Sequence, residues 1–261
     1  MKIKDIMTRD IIQVDKDVDL KYVLKLMKKY NITKIPVVES KKLIGLITDS
    51  HIAVKLGSIR SRGVPAARLH ASSVMEKDLI NVSPDQDVIT ILETVGEPGP
   101  TMLTAIEDDE LVGIVTKADL LPLVNSPKPV EDFMNTSIHT VSPDDRIIHA
   151  RRRMIDEHIA RLPVLNNGIL IGVISDIDIV YALAKVKKSF PLGKQKHQLD
   201  ELLVNDAMKS PAITIQAEES IEEAAKLMLE AGVGFFPVMR GDKVIGIISR
   251  TDLLKTIPIQ Q

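Results

Sequence analysis

Apolar and polar positions follow two different periods along this 261-residue chain. In residues 20–27 and 221–228, apolar side chains recur at the first, fourth, fifth and eighth positions, which predicts amphipathic helices with one buried face. Residues 35–38 and 43–47 are short apolar runs separated by a polar turn. That pattern predicts two strands joined as a hairpin.

The same succession of elements occurs four times in one register without a gap. A register shared over about 45 residues in four copies indicates one small unit used four times. Three anchors define the unit, namely a methionine before the first strand, a glycine in the hairpin and a polar residue soon after that glycine. The anchors are Met7, Met75, Met134 and Met208; Gly45, Gly113, Gly172 and Gly246; and His51, Asp119, Asp178 and Asp252.

Each repeat is predicted to be a mixed α/β (α+β) unit with the element order β-α-β-β-α. A unit this short has a one-sided core, so it must pair with a neighbour, and we expect consecutive repeats to form modules 1–126 and 127–261. The Ser-Pro-Asp strings at 83–85 and 142–144 predict capped starts of the first helices. The polar stretch 185–200 is expected to be an exposed connection. The predicted repeats are residues 1–60, 68–126, 127–187 and 200–261.

Composition narrows the possible functions. The chain has no cysteine, which excludes disulfides, thiolate metal sites and cysteine nucleophiles. Its formal net charge of −2 provides no overall positive potential that would attract nucleic acid or membranes. No signal segment, membrane span, phosphate-binding glycine loop or metallopeptidase motif occurs, so we expect a soluble, cytoplasmic protein with neither a catalytic nor a metal site.

The string Ile-x-x-Met, strand, helix, Pro-Val-Val and Gly-apolar-apolar-Thr/Ser-x-x-Asp resembles the CBS domain, and the resemblance covers nearly the whole chain. Four repeats in one chain resemble the γ subunit of AMP-activated protein kinase and its free-standing archaeal relatives. The resemblance implies two Bateman modules that meet as a flat disc, present as a monomer or a homodimer. It also implies a non-catalytic energy sensor that binds adenine nucleotides (AMP, ADP or ATP) in clefts between paired repeats and signals to another protein in trans.

The resemblance assigns two kinds of polar group to these clefts. Carboxylates that accept the ribose hydroxyls are implied at Asp119, Asp178 and Asp252. Hydroxyls at the start of the second helix, where a phosphate is favoured, are implied at Thr116, Ser175 and Ser249. Taken without the family, Thr/Ser-x-x-Asp is also a capping box, so helix capping alone is an alternative interpretation.

Cations for a phosphate are also implied by the resemblance. Arg161 stands where related repeats carry a phosphate-contacting arginine, and Lys34 is its equivalent in repeat 1. Lys117 and Arg250 directly follow the hydroxyls of repeats 2 and 4, where repeat 3 has Asp176. The alternative for each cation is a solvated surface charge. Contacts with the adenine or ribose are implied at Thr140 and Thr214.

Repeats 1 to 3 each depart from the common pattern. His51 replaces the ribose carboxylate in repeat 1, so that site is expected to be empty or to receive a phosphate from a ligand seated elsewhere; alternatively, His51 is a surface residue. Repeat 2 carries a Pro/Gly string at 96–101 and has Thr104 in place of proline, which predicts another cleft shape. Arg151 of repeat 3 occupies an apolar helix position, either at a seam between modules or at the edge of the buried stripe.

Two further functions stay open at this point. S-adenosylmethionine or methylthioadenosine could use the same ribose carboxylate without a phosphate cation. Nucleic-acid binding or scaffolding is suggested by basic linkers, although near-neutral charge and 3% aromatic residues argue against it. The basic residues concerned are Arg60, Arg62, Arg68, Lys185, Lys187, Lys188, Lys194 and Lys196.

Overall fold

The computed structural model describes residues 1–57, 65–96, 102–189 and 192–258. The Pro/Gly residues 97–101, together with Arg60 and Arg62, lie outside this part. The fold is mixed α+β, and each of the four repeats has a small sheet with helices, as the sequence predicts. None of the helices in the described ranges is long and apolar enough to span a bilayer.

The elements follow the predicted order in each repeat. Before and within repeat 1 lie α1 (Ile3–Ile6), β1 (Val14–Asp15), α2 (Leu20–Tyr30), β2 (Lys34–Glu39), β3 (Lys42–Thr48) and α3 (Asp49–Gly57). Repeat 2 has β4 (Asn81–Val82), α4 (Ile89–Gly96), β5 (Met102–Glu107), β6 (Glu110–Thr116) and α5 (Lys117–Leu120). Repeat 3 has α6 (Ile147–Asp156), β7 (Arg161–Asn166), β8 (Ile169–Ser175) and α7 (Asp176–Ser189), and α8 (Leu192–Glu201) follows. Repeat 4 has β9 (Ile215–Gln216), α9 (Ile221–Glu230), β10 (Phe235–Arg240), β11 (Lys243–Ser249) and α10 (Arg250–Leu254).

In every repeat the two hairpin strands are antiparallel, and the short first strand runs parallel to the first hairpin strand. In repeat 1, Val14 lies opposite Val37 and Val37 lies opposite Gly45. In repeat 3 the first strand is reduced to one bridge between Val141 and Val164. The second hairpin strand leads directly into the second helix, and in repeats 1, 2 and 4 the hydroxyl that ends the strand accepts an N–H of that helix.

The predicted amphipathic helices are confirmed. In α2 the Asp19 carboxylate accepts the backbone N–H of Tyr22 at 2.7 Å, which caps the helix start. The helix ends at Asn31, whose φ of 51° is left-handed. Its apolar face is buried, with Leu20 and Met27 at 0% and 1% exposure.

The Ser-Pro-Asp strings do not cap the first helices, so this prediction is wrong. The helices begin later, at Ile89 in α4 and Ile147 in α6, and the strings form turns instead. The Pro84 carbonyl accepts the N–H of Lys4 at 2.9 Å, and the equivalent turn in repeat 3 binds another chain segment in the same way. A helix starting at the strings would engage these carbonyls internally, whereas the turn leaves them to the incoming segment.

The described chain forms two compact units, each with its own hydrophobic core. Unit 1 consists of Met1–Ile11, Leu79–Ile138 and Ile213–Gln261, and its core joins apolar residues of repeats 2 and 4. Unit 2 consists of Ile12–Asp78 and His139–Ala212, and its core joins repeats 1 and 3. The cores are therefore not shared between consecutive repeats. The predicted modules of consecutive repeats and their disc arrangement stay predictions.

The segments that carry the anchor methionines, here called leaders, are exchanged between consecutive repeats. The leaders comprise residues 1–11, 65–78, 128–138 and 202–212. Each leader packs its methionine on the hairpin glycine of a neighbouring repeat, and no side chain would fit there. A Cβ built on Gly113 would lie 2.3 Å from the Met7 sulfur, for example. The contacting pairs are Met7 with Gly113, Met75 with Gly45, Met134 with Gly246 and Met208 with Gly172.

The stretch 185–200 differs from the predicted exposed connection. Helix α7 continues to Ser189, and α8 begins at Leu192. Lys187 and Leu199 are buried, at 2% and 8% exposure. Lys187 is therefore not a surface charge, unlike what the nucleic-acid interpretation of this basic run requires. Burial lowers the pKa of Lys187 to about 8.

Candidate functional site

The predicted Thr/Ser-x-x-Asp groups form capping boxes in repeats 2 and 4, and in repeat 3 the Asp178 carboxylate accepts the backbone N–H of Ser175 in the same way. In repeat 2 the backbone N–H and the hydroxyl of Thr116 both donate to Oδ2 of Asp119, at 2.7 and 2.8 Å. The Thr116 hydroxyl in turn accepts the N–H of Ala118 at 3.2 Å. Helix capping, the alternative function of these residues, is therefore real. The corresponding N–H to Oδ2 distances are 3.0 Å from Ser175 to Asp178 and 2.8 Å from Ser249 to Asp252.

Capping uses Oδ2 of the carboxylate, and Oδ1 has other neighbours. In repeat 2, Oδ1 of Asp119 lies 3.4 Å from the hydroxyl of Thr8. In repeat 3, Oδ1 of Asp178 lies 3.6 Å from Nζ of Lys209. Both neighbours belong to leaders. Asp119 and Asp178 therefore each combine a capping oxygen with a second oxygen that lies next to a leader side chain.

The leader residue next to these carboxylates is the one that follows each anchor methionine. It exchanges two backbone hydrogen bonds of 2.8–3.0 Å with the second hairpin strand, so its position is the same in all four repeats. Sequence reasoning missed these residues, although their fixed place after the methionine was a usable signal. The backbone pairs are Thr8 with Ile114, Glu76 with Leu46, Asn135 with Ile247 and Lys209 with Val173.

Repeat 1 has a different pair at this place. The backbone N–H of His51 donates to the Thr48 hydroxyl at 3.1 Å, so the helix start is still capped. Nε2 of His51 lies 3.5 Å from Oε2 of Glu76, a leader residue. The His51 side chain is about one-third exposed, at 34%. His51 is therefore in contact with a charged group and is more than an isolated surface residue.

Unit 1 places two of the predicted cations at the starts of second helices. Lys117 is buried, at 6% exposure, and its Nζ donates to the hydroxyl of Thr251 at 2.7 Å. Arg250 is half-buried and donates from Nη2 to the Val233 carbonyl at 2.9 Å. The interpretation of Lys117 as a solvated surface charge is wrong, because strand β6 leads it directly into the interior of unit 1.

Unit 2 carries carboxylates at the equivalent positions. Asp176 is buried, at 8% exposure, and burial raises its pKa to about 7. The like charge of Asp49, the equivalent residue of repeat 1, raises that pKa further, while Arg161 and Arg151 oppose the shift. Half-buried Arg161 therefore exerts its field on Asp176, and the two units differ in the sign of charge at the helix starts.

The remaining predicted residues are less closely connected to these groups. Lys34 is half-buried and its Nζ donates to the Thr33 hydroxyl at 3.3 Å. The Thr140 carbonyl accepts from Nη1 of Arg153 at 2.6 Å, which leaves its hydroxyl out of that bond. Within the described ranges, no hydrogen bond joins Thr140 or Thr214 to the three aspartates. Nor do three His, Asp or Glu side chains in those ranges come together as a metal site requires.

Comparison with known proteins places this geometry in a family. The CBS domain family matches residues 3–58, 71–126, 130–185 and 204–259. Among curated relatives, the uncharacterized protein MJ1404 of Methanocaldococcus jannaschii is 26% identical over 98% of this chain, which spans 61% of that relative's length.

Solved structures share the fold. The crystal structure of MJ1225 from the same organism, described as a proposed archaeal homologue of the γ subunit of AMP-activated protein kinase, matches with a TM-score of 0.85. It is 21% identical and covers 98% of this chain and 99% of its own. A conserved protein of Pyrococcus horikoshii matches with a TM-score of 0.63 at 19% identity, covering 99% of this chain and 100% of its own. The four matched segments include all four hairpin glycines and second-helix starts described above, and the chain belongs to the CBS domain family, with four CBS domains in tandem.

Proposed function

We propose that the protein is a non-catalytic regulator that binds adenosine-containing ligands (AMP, ADP or ATP) at the second-helix starts of its CBS domains and signals to a partner protein in trans. The observation that carries this proposal is that only one carboxylate oxygen of Asp119, Asp178 and Asp252 takes part in helix capping. In all three, Oδ2 serves the capping box. Oδ1 takes no part in that box and is the atom proposed to accept a ligand hydroxyl.

Ribose suits such a carboxylate because its 2′ and 3′ hydroxyls are neighbouring donors. Hydrogen bonds from a hydroxyl to an ionised carboxylate are short and about twice as strong as neutral ones. The capping bonds hold the carboxylate in one orientation, so little side-chain freedom is lost when a ligand binds. Thr140 and Thr214, before the first strands of their repeats, are proposed to lie along the base or sugar of the same ligands.

Phosphate groups are proposed to bind at repeats 2 and 4. Lys117 and Arg250 supply positive charge there, and the hydroxyls of Thr116 and Ser249 are proposed to turn from Asp119 and Asp252 to donate to a phosphate oxygen. A cation that is already desolvated, as buried Lys117 is, interacts more strongly with a phosphate than an exposed one does. These two repeats are therefore the proposed sites for AMP, ADP or ATP.

Repeat 3 supports a second candidate ligand. At the position of Lys117 it has buried Asp176, and Asp49 adds a further negative charge. A cationic adenosyl compound such as S-adenosylmethionine suits this field better than a phosphate does. Arg161 favours a phosphate, because its charge opposes that of Asp176. Arg161→Ala separates the two: it should weaken AMP binding at repeat 3 and should not weaken S-adenosylmethionine binding.

The test is parallel isothermal titration of the chain with AMP, ADP, ATP, GTP and S-adenosylmethionine. Asp252→Asn should weaken binding at repeat 4 by about 30-fold, since loss of a charge-assisted hydrogen bond costs about 2 kcal/mol. The amide oxygen of asparagine can still cap the helix, so the fold is retained.

Asp5→Asn is the matched control for capping. Oδ2 of Asp5 accepts the N–H of Lys2 at 2.7 Å, so Asp5 caps the start of α1 outside the proposed sites. Its substitution should affect stability without affecting affinity. Wild-type affinity in Asp178→Asn, Asp252→Asn and the double variant, or no binding of any of the five ligands, would reduce these aspartates to helix caps.

A further inference from the structure

Repeat 1 carries a carboxylate and a basic side chain at its second-helix start, as repeat 3 does, with their places exchanged. Repeat 3 has the acid Asp178 on the helix and the base Lys209 on the leader, 3.6 Å apart. Repeat 1 has the imidazole of His51 on the helix and the carboxylate of Glu76 on the leader, 3.5 Å apart. The backbone of Glu76 is paired with its strand as that of Lys209 is, so the two pairs occupy equivalent space.

From this exchange we propose that repeat 1 holds a fourth ligand site, in which the leader residue Glu76 supplies the carboxylate that accepts the hydroxyls of a ribose-bearing ligand. The proposal rests on the proposed function, because it assumes that the other three repeats use their carboxylates in this way. It replaces the empty site that His51 alone suggests, and it assigns a binding residue that lies outside the Thr/Ser-x-x-Asp motif.

The Glu76 carboxylate is better placed to accept hydroxyls than its counterparts, because it does not cap a helix. In repeat 1 the Thr48 hydroxyl caps the helix by accepting the N–H of His51 at 3.1 Å, and Asp49 Oδ1 accepts the N–H of Ser50. Within the described ranges, the ring of His51 is the one polar contact that the Glu76 side chain makes. Its four lone-pair sites are therefore largely unused, and the side chain is 48% exposed to an incoming ligand.

His51 acts as a positioning residue in this arrangement. Nε2 of His51 lies beside the Glu76 carboxylate, and Nδ1 is buried without a hydrogen-bond partner in the described part of the chain. The orientation of the ring therefore depends on Glu76, and the ring in turn holds the carboxylate beside the helix start.

The surrounding charge favours hydroxyls over a phosphate. Asp49 begins the helix that carries His51, and Glu76 lies beside the His51 ring, so this helix start has two carboxylates. A phosphate here would meet net negative charge, whereas hydroxyl donors of a ribose would not. The proposed ligand class is therefore a nucleoside or nucleotide held by its sugar, with any phosphate directed away from Asp49.

The experiment isolates repeat 1 by combining Asp119→Asn, Asp178→Asn and Asp252→Asn, and it uses AMP as the probe in isothermal titration. This triple variant should retain one equivalent of AMP at an affinity close to that of the wild type. Adding Glu76→Gln should weaken the remaining site by roughly 10-fold or more, through loss of the charged acceptor. Glu39→Gln, which removes an exposed carboxylate of the same repeat paired with Lys16, is the matched control and should have no effect.

A charge exchange gives the decisive comparison. In the triple variant, Glu76→Lys alone should abolish the remaining site, and Glu76→Lys together with His51→Asp should restore it by reproducing the pair of repeat 3. Absence of AMP binding in the triple variant, or full affinity in its Glu76→Gln derivative, overturns the fourth site while the proposed function stands. Absence of AMP binding in the wild type overturns both.

Discussion

The buried carboxylate of Asp176 makes the stability of the protein depend on pH. Its pKa is raised from 3.8 to about 7 in the folded chain, first by burial and then by Asp49. At pH values between these two, the folded state keeps the proton and the unfolded state releases it. The contribution of Asp176 to stability is therefore fully present below about pH 4 and is lost as pH rises through about 7.

The expected magnitude follows from the width of that interval. A shift of about 3 pH units corresponds to about 4 kcal/mol of unfolding free energy at 1.36 kcal/mol per unit. Asp176→Asn keeps the size of the side chain and removes its ionisation. The variant should be more stable than the wild type at pH 8, and its advantage should shrink by roughly 3 kcal/mol between pH 8 and pH 5.

Urea denaturation of both proteins at pH 5, 6, 7 and 8 measures this difference. Asp49→Asn serves as a second variant, because removing the like charge should lower the pKa of Asp176 and shift the loss of stability to lower pH. Parallel stability curves for the wild type and Asp176→Asn across this range would refute the reasoning, since they would show that Asp176 does not change ionisation there.

Two further predictions concern packing within one unit. Gly172→Ala should lower the free energy of unfolding by about 2–3 kcal/mol in urea denaturation, because its Cβ would lie 2.6 Å from the Lys209 carbonyl oxygen. Gly241→Ala is the control: its φ is +59° and its Cβ would meet open space, so it should cost only about 1 kcal/mol. Equal losses in the two variants would contradict the clash at Gly172. Arg151→Leu should lower stability by about 2 kcal/mol, because the guanidinium donates from Nε to the Ala53 carbonyl at 3.0 Å and also binds the next carbonyl of α3. An unchanged melting temperature in Arg151→Leu would show that these bonds contribute nothing to unit 2.

The repeated fold could be predicted from the sequence because its signal is periodic and local. Leu20 and Met27 lie at helical spacing, and both are buried as that spacing requires. Apolar runs bounded by polar turns marked the hairpins for the same reason. The turn around Pro84 was predicted as a helix start, because the local sequence is typical of a cap and the competing hydrogen bond comes from distant Lys4.

The exchange of leaders could not be predicted, because spacing along the chain does not specify a packing partner. Met7 is followed by four hairpin glycines, of which Gly45 and Gly113 are the nearest along the chain. It packs on Gly113, in the next repeat, while Gly45 receives Met75. Only the three-dimensional path of the chain distinguishes these alternatives.

The residue types of the candidate site could be predicted from the sequence. The separate roles of the two carboxylate oxygens could not. The motif that suggested a ribose carboxylate at Asp119 equally suggested a helix cap, and the structure shows that Oδ2 performs the capping. That Oδ1 faces Thr8 depends on leader exchange, so no local pattern could reveal it. The burial of Lys117 likewise depends on Thr251 of another repeat.

The alternating course of the chain has a consequence for biosynthesis. Unit 1 is made of the first, third and fifth segments of the chain, and unit 2 of the second and fourth. During translation, unit 2 can close its core only after residues 139–212 have left the ribosome, and unit 1 only after residues 213–261 have followed. A nascent chain stalled after repeat 2 would hold half of each core without its complement, so such a truncated product should be a substrate for chaperones and proteases.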